Sequence, residues 1–139
     1  LDVKGLFWTA MPLAGAVMVT TPQEVAVQDV RRCVAFCREL EVPVLGVVEN
    51  MSGFTCPSCG EHVNIFGVDG GRIMAEQVGV PYLGAIPIEP EVVVSGDSGK
   101  PMVQANPKSE AARAFGRIVN ALLQRGGAAR EQEGKASRG

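Results

Sequence analysis

At 139 residues and 46% hydrophobic content, the chain has the length and apolar material of one compact domain. A formal charge of −2 offers no basic surface for nucleic acid or an anionic membrane, so neither partner is expected. Four cysteines are too few for a disulfide scaffold in this length, and a reducing, cytoplasmic setting suits them better.

The chain begins with Leu1 rather than Met, which suggests a trimmed chain or a piece of a longer one. Gly5 to Val19, "GLFWTAMPLAGAVMV", follows Lys4 without a charge and superficially resembles a secretory signal. Pro12 interrupts the run, however, and the stretch is shorter than the roughly 20 apolar residues of a membrane helix. A buried strand over 14–20, "AGAVMVT", accounts for its second half equally well. Thr21 can then cap a helix beginning at Pro22, with Glu24 in the first turn, where the helix dipole favours an acid. Val27, Val30, Val34, Cys37 and Leu40 recur at helical spacing, while Gln28, Asp29, Arg31, Arg32, Arg38 and Glu39 take the other side.

After Glu41 comes "VPVLGVVEN", a second apolar strand, so a crossover helix joins two buried runs and the pairing should be parallel. A second helix is predicted over Gly71 to Val78, a third strand over 81–88, "PYLGAIPI", and a last helix from Ser109 to Gln124. Ser109 would cap that helix, and Ala112, Phe115, Ile118, Val119 and Leu122 would form its apolar face. The predicted fold is α/β, with a doubly wound and mainly parallel sheet spanning residues 1–125. Residues 126–139 lose apolar periodicity and read as a disordered tail.

Ligands of such sheets sit beyond the carboxyl ends of the strands, here "TTPQE" (20–24), "ENMSG" (49–53) and "IPIEP" (86–90). The second of these leads directly into "FTCPSCGEH" (54–62). Cys56-Pro57-Ser58-Cys59-Gly60 lets two thiolates face one point, and Gly60 lets the backbone turn so that amide N–H groups aim at sulfur. A redox dithiol would place its first cysteine at a helix N-terminus, whereas proline and glycine here suit a turn, so metal ligation is the better reading.

Two thiolates do not complete a tetrahedral site, and the chain has no second CxxC. Cys33 and Cys37, one helical turn apart, could supply the rest, although cysteine on an apolar stripe is commonly a small buried hydrophobe. His62 could be a third ligand, or simply a solvated loop histidine. A two-fold dimer in which two copies of the loop meet is the most economical solution. Asn50, closing the second strand, offers a donor and an acceptor as an adenine edge requires, but could equally cap a turn.

Other motifs fail. "SGDSGKP" (95–101) lacks the first glycine and the final Ser or Thr of a phosphate loop. Its "GDSG" has no suitable histidine or nucleophile elbow, and no GxGxxG follows a strand.

Three stretches, "PLAGAVMVTTPQEVAVQDVRR", "VPVLGVVENMSGFTCPSCG" and "YLGAIPIEPEVVVSGDSGKP", occur in order and resemble the C-terminal half of Mrp-type (ApbC-like) P-loop ATPases, from about Pro12 to Phe115. The resemblance implies a deviant P-loop NTPase fold and a homodimer bridged by a labile [4Fe–4S] cluster, with Cys56 and Cys59 as each subunit's ligands. It implies transfer of that cluster to apo-proteins, coupled to binding or hydrolysis of ATP with magnesium. Asn50 matches the asparagine that recognises adenine, and Pro87 and Glu89 match the segment flanking the base. Residues 1–11 do not share the resemblance. The lysine loop, the magnesium-binding aspartate and the "Asp-Thr-Pro-Pro-Gly" switch of the family also have no counterpart, so the chain is not expected to hydrolyse ATP alone. A sheet without its other half should expose an apolar edge and fold weakly, or associate, in isolation. The alternatives to a cluster carrier are a zinc-bridged interaction module without ATPase activity and an ATPase-like remnant that retains neither function.

Overall fold

The computed structural model describes residues 14–136, with side chains to residue 125. Its elements are β1 (Ala16–Thr20), α1 (Glu24–Glu39), β2 (Val44–Glu49), β3 (Phe54–Thr55), β4 (His62–Val63), α2 (Gly70–Val78), β5 (Tyr82–Ala85), α3 (Pro90–Asp97), α4 (Met102–Ala105) and α5 (Glu110–Ala136). The first part of the apolar run, through Leu13, lies outside the described residues. No helix among the described residues is long and apolar enough to cross a membrane.

Strands β1, β2 and β5 form a parallel sheet in that order, as the alternation of apolar strands and crossover helices predicts. Ala16 pairs with Val44 and Thr20 with Glu49, while Val47 pairs with Tyr82 and Glu49 with Ala85. Successive residues of a strand point to opposite faces, so Val47 and Val48 feed two separate cores. On one face Val47 packs with Val27 of α1 and with Met74 and Ala75 of α2, flanked by Met18, Val30 and Tyr82. On the other, Val48 packs with Leu83, Ile86 and Ala111, Ala114 and Ile118 of α5. The result is a sheet between two helical layers.

The approach of α5 depends on Gly84, where a Cβ would stand 3.2 Å from the Ile118 side chain. Ala111, Ala114 and Ile118 form the inner stripe of α5. Phe115 and Val119, expected on the apolar face, are instead 36% and 50% exposed on its flank. A helix resting on a narrow sheet buries only one line of side chains. Among the described residues β1 is an outer strand of the sheet, and its Val17 and Val19 are exposed.

Other local expectations also change. The Thr21 cap does not form: its hydroxyl donates to Gln23 Oε1, and α1 starts at Glu24 because the buried Pro22 still belongs to the turn leaving β1. Ser109 does cap α5, its Oγ accepting the Ala112 N–H at 3.0 Å. The α5 backbone continues helically to Ala136, where loss of apolar periodicity predicts a disordered tail from 126. Its Ala, Glu, Arg, Gln and Lys residues favour a helix locally, whereas Gly126, Gly127 and Gly134 do not. Residues 137–139 lie outside the described residues.

Candidate functional site

Beyond the ends of β2 and β5 the segments that follow them stay laced together. Asn50 N–H donates to Thr20 O at 2.7 Å, Ile86 N–H to Glu49 O at 2.8 Å, Ser52 N–H to Ile86 O at 3.0 Å and Ile88 N–H to Gly53 O at 2.8 Å. Phe54 then bridges Ile88 in parallel register. These contacts place the "ENMSG" and "IPIEP" segments side by side, and the cysteine hairpin β3–β4 grows from them at the carboxyl end of the sheet.

Within the hairpin Thr55 pairs with His62, leaving residues 56–61 as the connection. Cys56 N–H donates to Glu61 O and Gly60 N–H to Cys56 O, both at 2.9 Å, and Gly60 takes the left-handed φ of 75° that closes the turn. The backbone N–H groups of Cys59 and Ser58 point at the Cys56 sulfur and hold its thiol below the ordinary thiol value. Cys56 is half-buried and Cys59 exposed. Neither follows the start of a helix, so the turn has the form of a metal knuckle rather than of a helix-activated dithiol.

Additional in-chain ligands do not gather. Among the described residues no group of three or more His, Cys, Asp or Glu side chains is placed to hold a metal ion. His62 lies along the hairpin stem, with its Nδ1 3.2 Å from Thr55 Oγ1 and its ring against the Cα of Gly53. Cys33 and Cys37 sit on α1, where burial and then the neighbouring Cys33 push the Cys37 thiol up. Among the described residues neither His62 on the hairpin stem nor Cys33 and Cys37 on α1 joins Cys56 and Cys59 in a metal-holding group.

Asn50 and Pro87 lie on the laced segments. The Asn50 carboxamide Oδ1 accepts the Met51 N–H at 2.9 Å and steadies a turn in which Met51 has a left-handed φ of 55°. Glu89 precedes α3, and its Oε1 accepts the Ala111 N–H at 3.0 Å, which caps α5 alongside Ser109. Glu89 also lines a cleft of about 430 Å³ with Thr55, Pro57, Ile88, Glu91 and Asn106, so this cleft touches the cysteine loop directly. The "SGDSGKP" loop faces elsewhere: Lys100 lines a separate cavity of about 440 Å³ with Met102 and Phe115.

Sequence reasoning missed Glu49. It ends β2 with 0% exposure, and its carboxylate accepts hydrogen bonds from Ser52 Oγ at 2.6 Å, Asp69 N–H at 3.0 Å and Gly71 N–H at 2.6 Å. The available signal was an acid closing an otherwise apolar strand, a position that burial disfavours unless donors converge on it. Burial, then the Glu49 and Asp69 carboxylates, pushes the adjacent Tyr82 hydroxyl up to about 12.

Comparison with known proteins agrees with this arrangement. The chain is 46% identical over 122 residues to a protein of Trichoplax adhaerens named cytosolic Fe-S cluster assembly factor NUBP2 homolog, covering 88% of this chain and 44% of that one. It is 49% identical over 109 residues to cytosolic Fe-S cluster assembly factor NUBP2 of Gallus gallus, covering 78% of this chain and 40% of the relative. The chain thus spans less than half the length of these relatives. A solved nucleotide-binding protein in complex with ADP from Archaeoglobus fulgidus superposes with a TM-score of 0.54 at 35% identity, over 62% of this chain and 35% of that one. Residues 2–123 match the family described as NUBPL iron-transfer P-loop NTPase, so the match takes in residues 2–11, which lie outside the motif resemblance. A parallel sheet with its cysteine hairpin at the carboxyl end, joined to this match over most of its length, means that the chain belongs to the NUBPL iron-transfer P-loop NTPase family.

Proposed function

We propose that the chain carries a labile iron–sulfur cluster as cargo and passes it to apo-proteins. The observation that supports this most directly is the Cys56–Cys59 turn: two thiols, amide N–H groups aimed at Cys56, and no third in-chain ligand among the described residues. A second copy of the same loop would complete four thiolates, and a [4Fe–4S] cluster shared by a homodimer matches that number. The names of the relatives, cytosolic Fe-S cluster assembly factors, favour a cluster over a zinc bridge and favour a cytoplasmic location.

Transfer of such cargo is a ligand exchange. Each incoming recipient thiolate replaces one of the holding thiolates, which leaves as thiolate or takes up one proton, and the redox level of the cluster is unchanged. Lowering the Cys56 pKa favours the thiolate that ligation requires, and hydrogen bonds to its sulfur moderate its donor strength.

Nucleotide binding is proposed for the longer assembly. Asn50, Pro87 and Glu89 would meet the base, with Asn50 Nδ2 as the donor that its turn-capping oxygen leaves available. ATP with magnesium would be held by a phosphate loop supplied from elsewhere, and this chain by itself would not hydrolyse ATP.

Anaerobic reconstitution with iron and sulfide tests the carrier reading. Brown protein with charge-transfer absorption, four irons per two chains, a dimer on sizing, and loss of all three in Cys56→Ala would support it. A colourless protein holding stoichiometric zinc would refute it, and one that takes up neither would favour the remnant.

A further inference from the structure

The cysteine loop is an excursion from the sheet that begins at Ser52, after β2, and ends at Asp69, before α2. Eighteen residues leaving a sheet have no reason, from chain geometry alone, to hold two thiols in a fixed place. Yet both ends of this excursion meet one group. The Ser52 hydroxyl and the Asp69 N–H donate to Glu49 Oε1, and the Gly71 N–H donates to Oε2. We infer that Glu49 is the positioning residue of the cysteine loop, a buried carboxylate that ties the loop's entry to its exit and sets where Cys56 and Cys59 stand.

The surrounding residues are arranged for that bond set. The N-terminus of α2 presents its N–H groups and the positive end of its dipole to the carboxylate, which stabilises a buried negative charge. Two glycines allow the approach. A Cβ on Gly71 would stand 3.2 Å from Glu49 Oε2 and 2.9 Å from Thr20 Cγ2, and one on Gly70 would collide with the Pro22 carbonyl. At the entry side Ser52 N–H is also bound to Ile86 O, so the Ser52 backbone is held by the segment that follows β5 and its side chain by Glu49. Two bonds farther along, Ile88 N–H to Gly53 O and the Phe54–Ile88 bridge pass this placement to the hairpin stem. Glutamine cannot reproduce the set. Its single oxygen can face either Gly71 or the Ser52 and Asp69 donors, and its NH2 must oppose the other side.

The consequence for cargo rests on the cluster-carrier reading; the consequence for the loop does not. Hydrogen exchange of the metal-free 139-residue chain measures the second, and the rate at which a ferrous chelator strips the reconstituted protein measures the first. In Glu49→Gln the amides of residues 54–63 should exchange faster relative to those of the Val34 and Ile118 core, and cluster loss should accelerate about tenfold, the lower range for outer-shell partners of metal ligands. Ser52→Ala removes one donor and should produce a smaller change of the same kind, and it serves if Glu49→Gln fails to fold. Val34→Ala, at a buried position on α1, supplies a loss of global stability from a different element. Equal hairpin exchange in Glu49→Gln and wild type, or equal hairpin loosening in Val34→Ala, would overturn the assignment. If wild type takes up no cluster, the carrier reading fails, while the exchange ratio still decides the role of Glu49.

Discussion

Replacing Gly71 with alanine sets two physical effects against each other with opposite signs. Helix propensity alone favours alanine by about 1 kcal/mol inside a helix. In the fold, the new methyl would stand 2.9 Å from Thr20 Cγ2, 3.2 Å from Glu49 Oε2 and 3.3 Å from Glu49 Cβ. Thr20 and Glu49 are 3% and 0% exposed, so neither side chain can swing out. Over-packing of a filled site costs about 1–3 kcal/mol. If Glu49 shifts, its 2.6 Å bond from Gly71 N–H is lost as well, a hydrogen bond to a charged group worth about 1.5–3 kcal/mol. The net expectation is destabilisation of roughly 2–4 kcal/mol. Gly116 provides the control, since it lies within α5 and a Cβ there meets nothing within 4 Å. Gly116→Ala should therefore stabilise by up to about 1 kcal/mol. Urea unfolding followed by circular dichroism at constant m-value measures both. Stabilisation by Gly71→Ala comparable to that by Gly116→Ala would show that α2 does not press against Glu49, and the account of the site would fail with it.

Further outcomes follow from the same geometry. Ile118→Ala removes a side chain packed over Gly84 and should cost about 2–5 kcal/mol in urea unfolding, because the sheet beneath it cannot collapse into the space. Glu89→Ala should destabilise by about 1 kcal/mol by leaving the Ala111 N–H without its acceptor, whereas Glu89→Gln, which keeps an oxygen there, should lose less. Cys56 should be alkylated by iodoacetamide with a pH midpoint below the ordinary thiol value, and a midpoint at or above that value would contradict the amide contacts of the turn. Hydrogen bonding from Arg72 holds the Asp69 carboxyl below its usual value, so its contribution is complete above the unfolded carboxyl value and disappears as pH falls through the folded one. The pair is exposed, so removing it with Arg72→Ala should flatten the acid limb of the stability curve only slightly.

Under the proposed function, a site split across two copies would lose its second pair of ligands whenever the copies separate, and retention of cargo would be linked to association. Chelator-stripping rates should therefore rise on dilution, and a rate independent of protein concentration would argue against a shared cluster.

Much of this was legible in one dimension because its causes are local. The apolar strands Ala16–Thr20 and Val44–Glu49, the 3.6-residue stripe Val27–Val30–Val34 of α1, and the Ser109 cap each follow from side chains within a few residues of one another. So does the Cys56–Cys59 turn, where proline and glycine at fixed offsets dictate the backbone that aims amides at sulfur. Contacts across the fold decided the rest. Thr21 yields its cap because Pro22 is buried in the turn leaving β1, and Phe115 turns outward because Gly84 draws α5 down onto a narrow sheet. His62, close to the cysteines in sequence, is kept on the hairpin stem by its pairing with Thr55. Glu49 is the clearest case. Its partners lie 3, 20 and 22 residues ahead, and a carboxylate is stable in an apolar strand only where such donors converge. The sequence by itself therefore determined which residues could ligate a metal, whereas the tertiary structure alone decided how the loop that carries them is held, because that depends on a buried charge and the distant backbone that satisfies it.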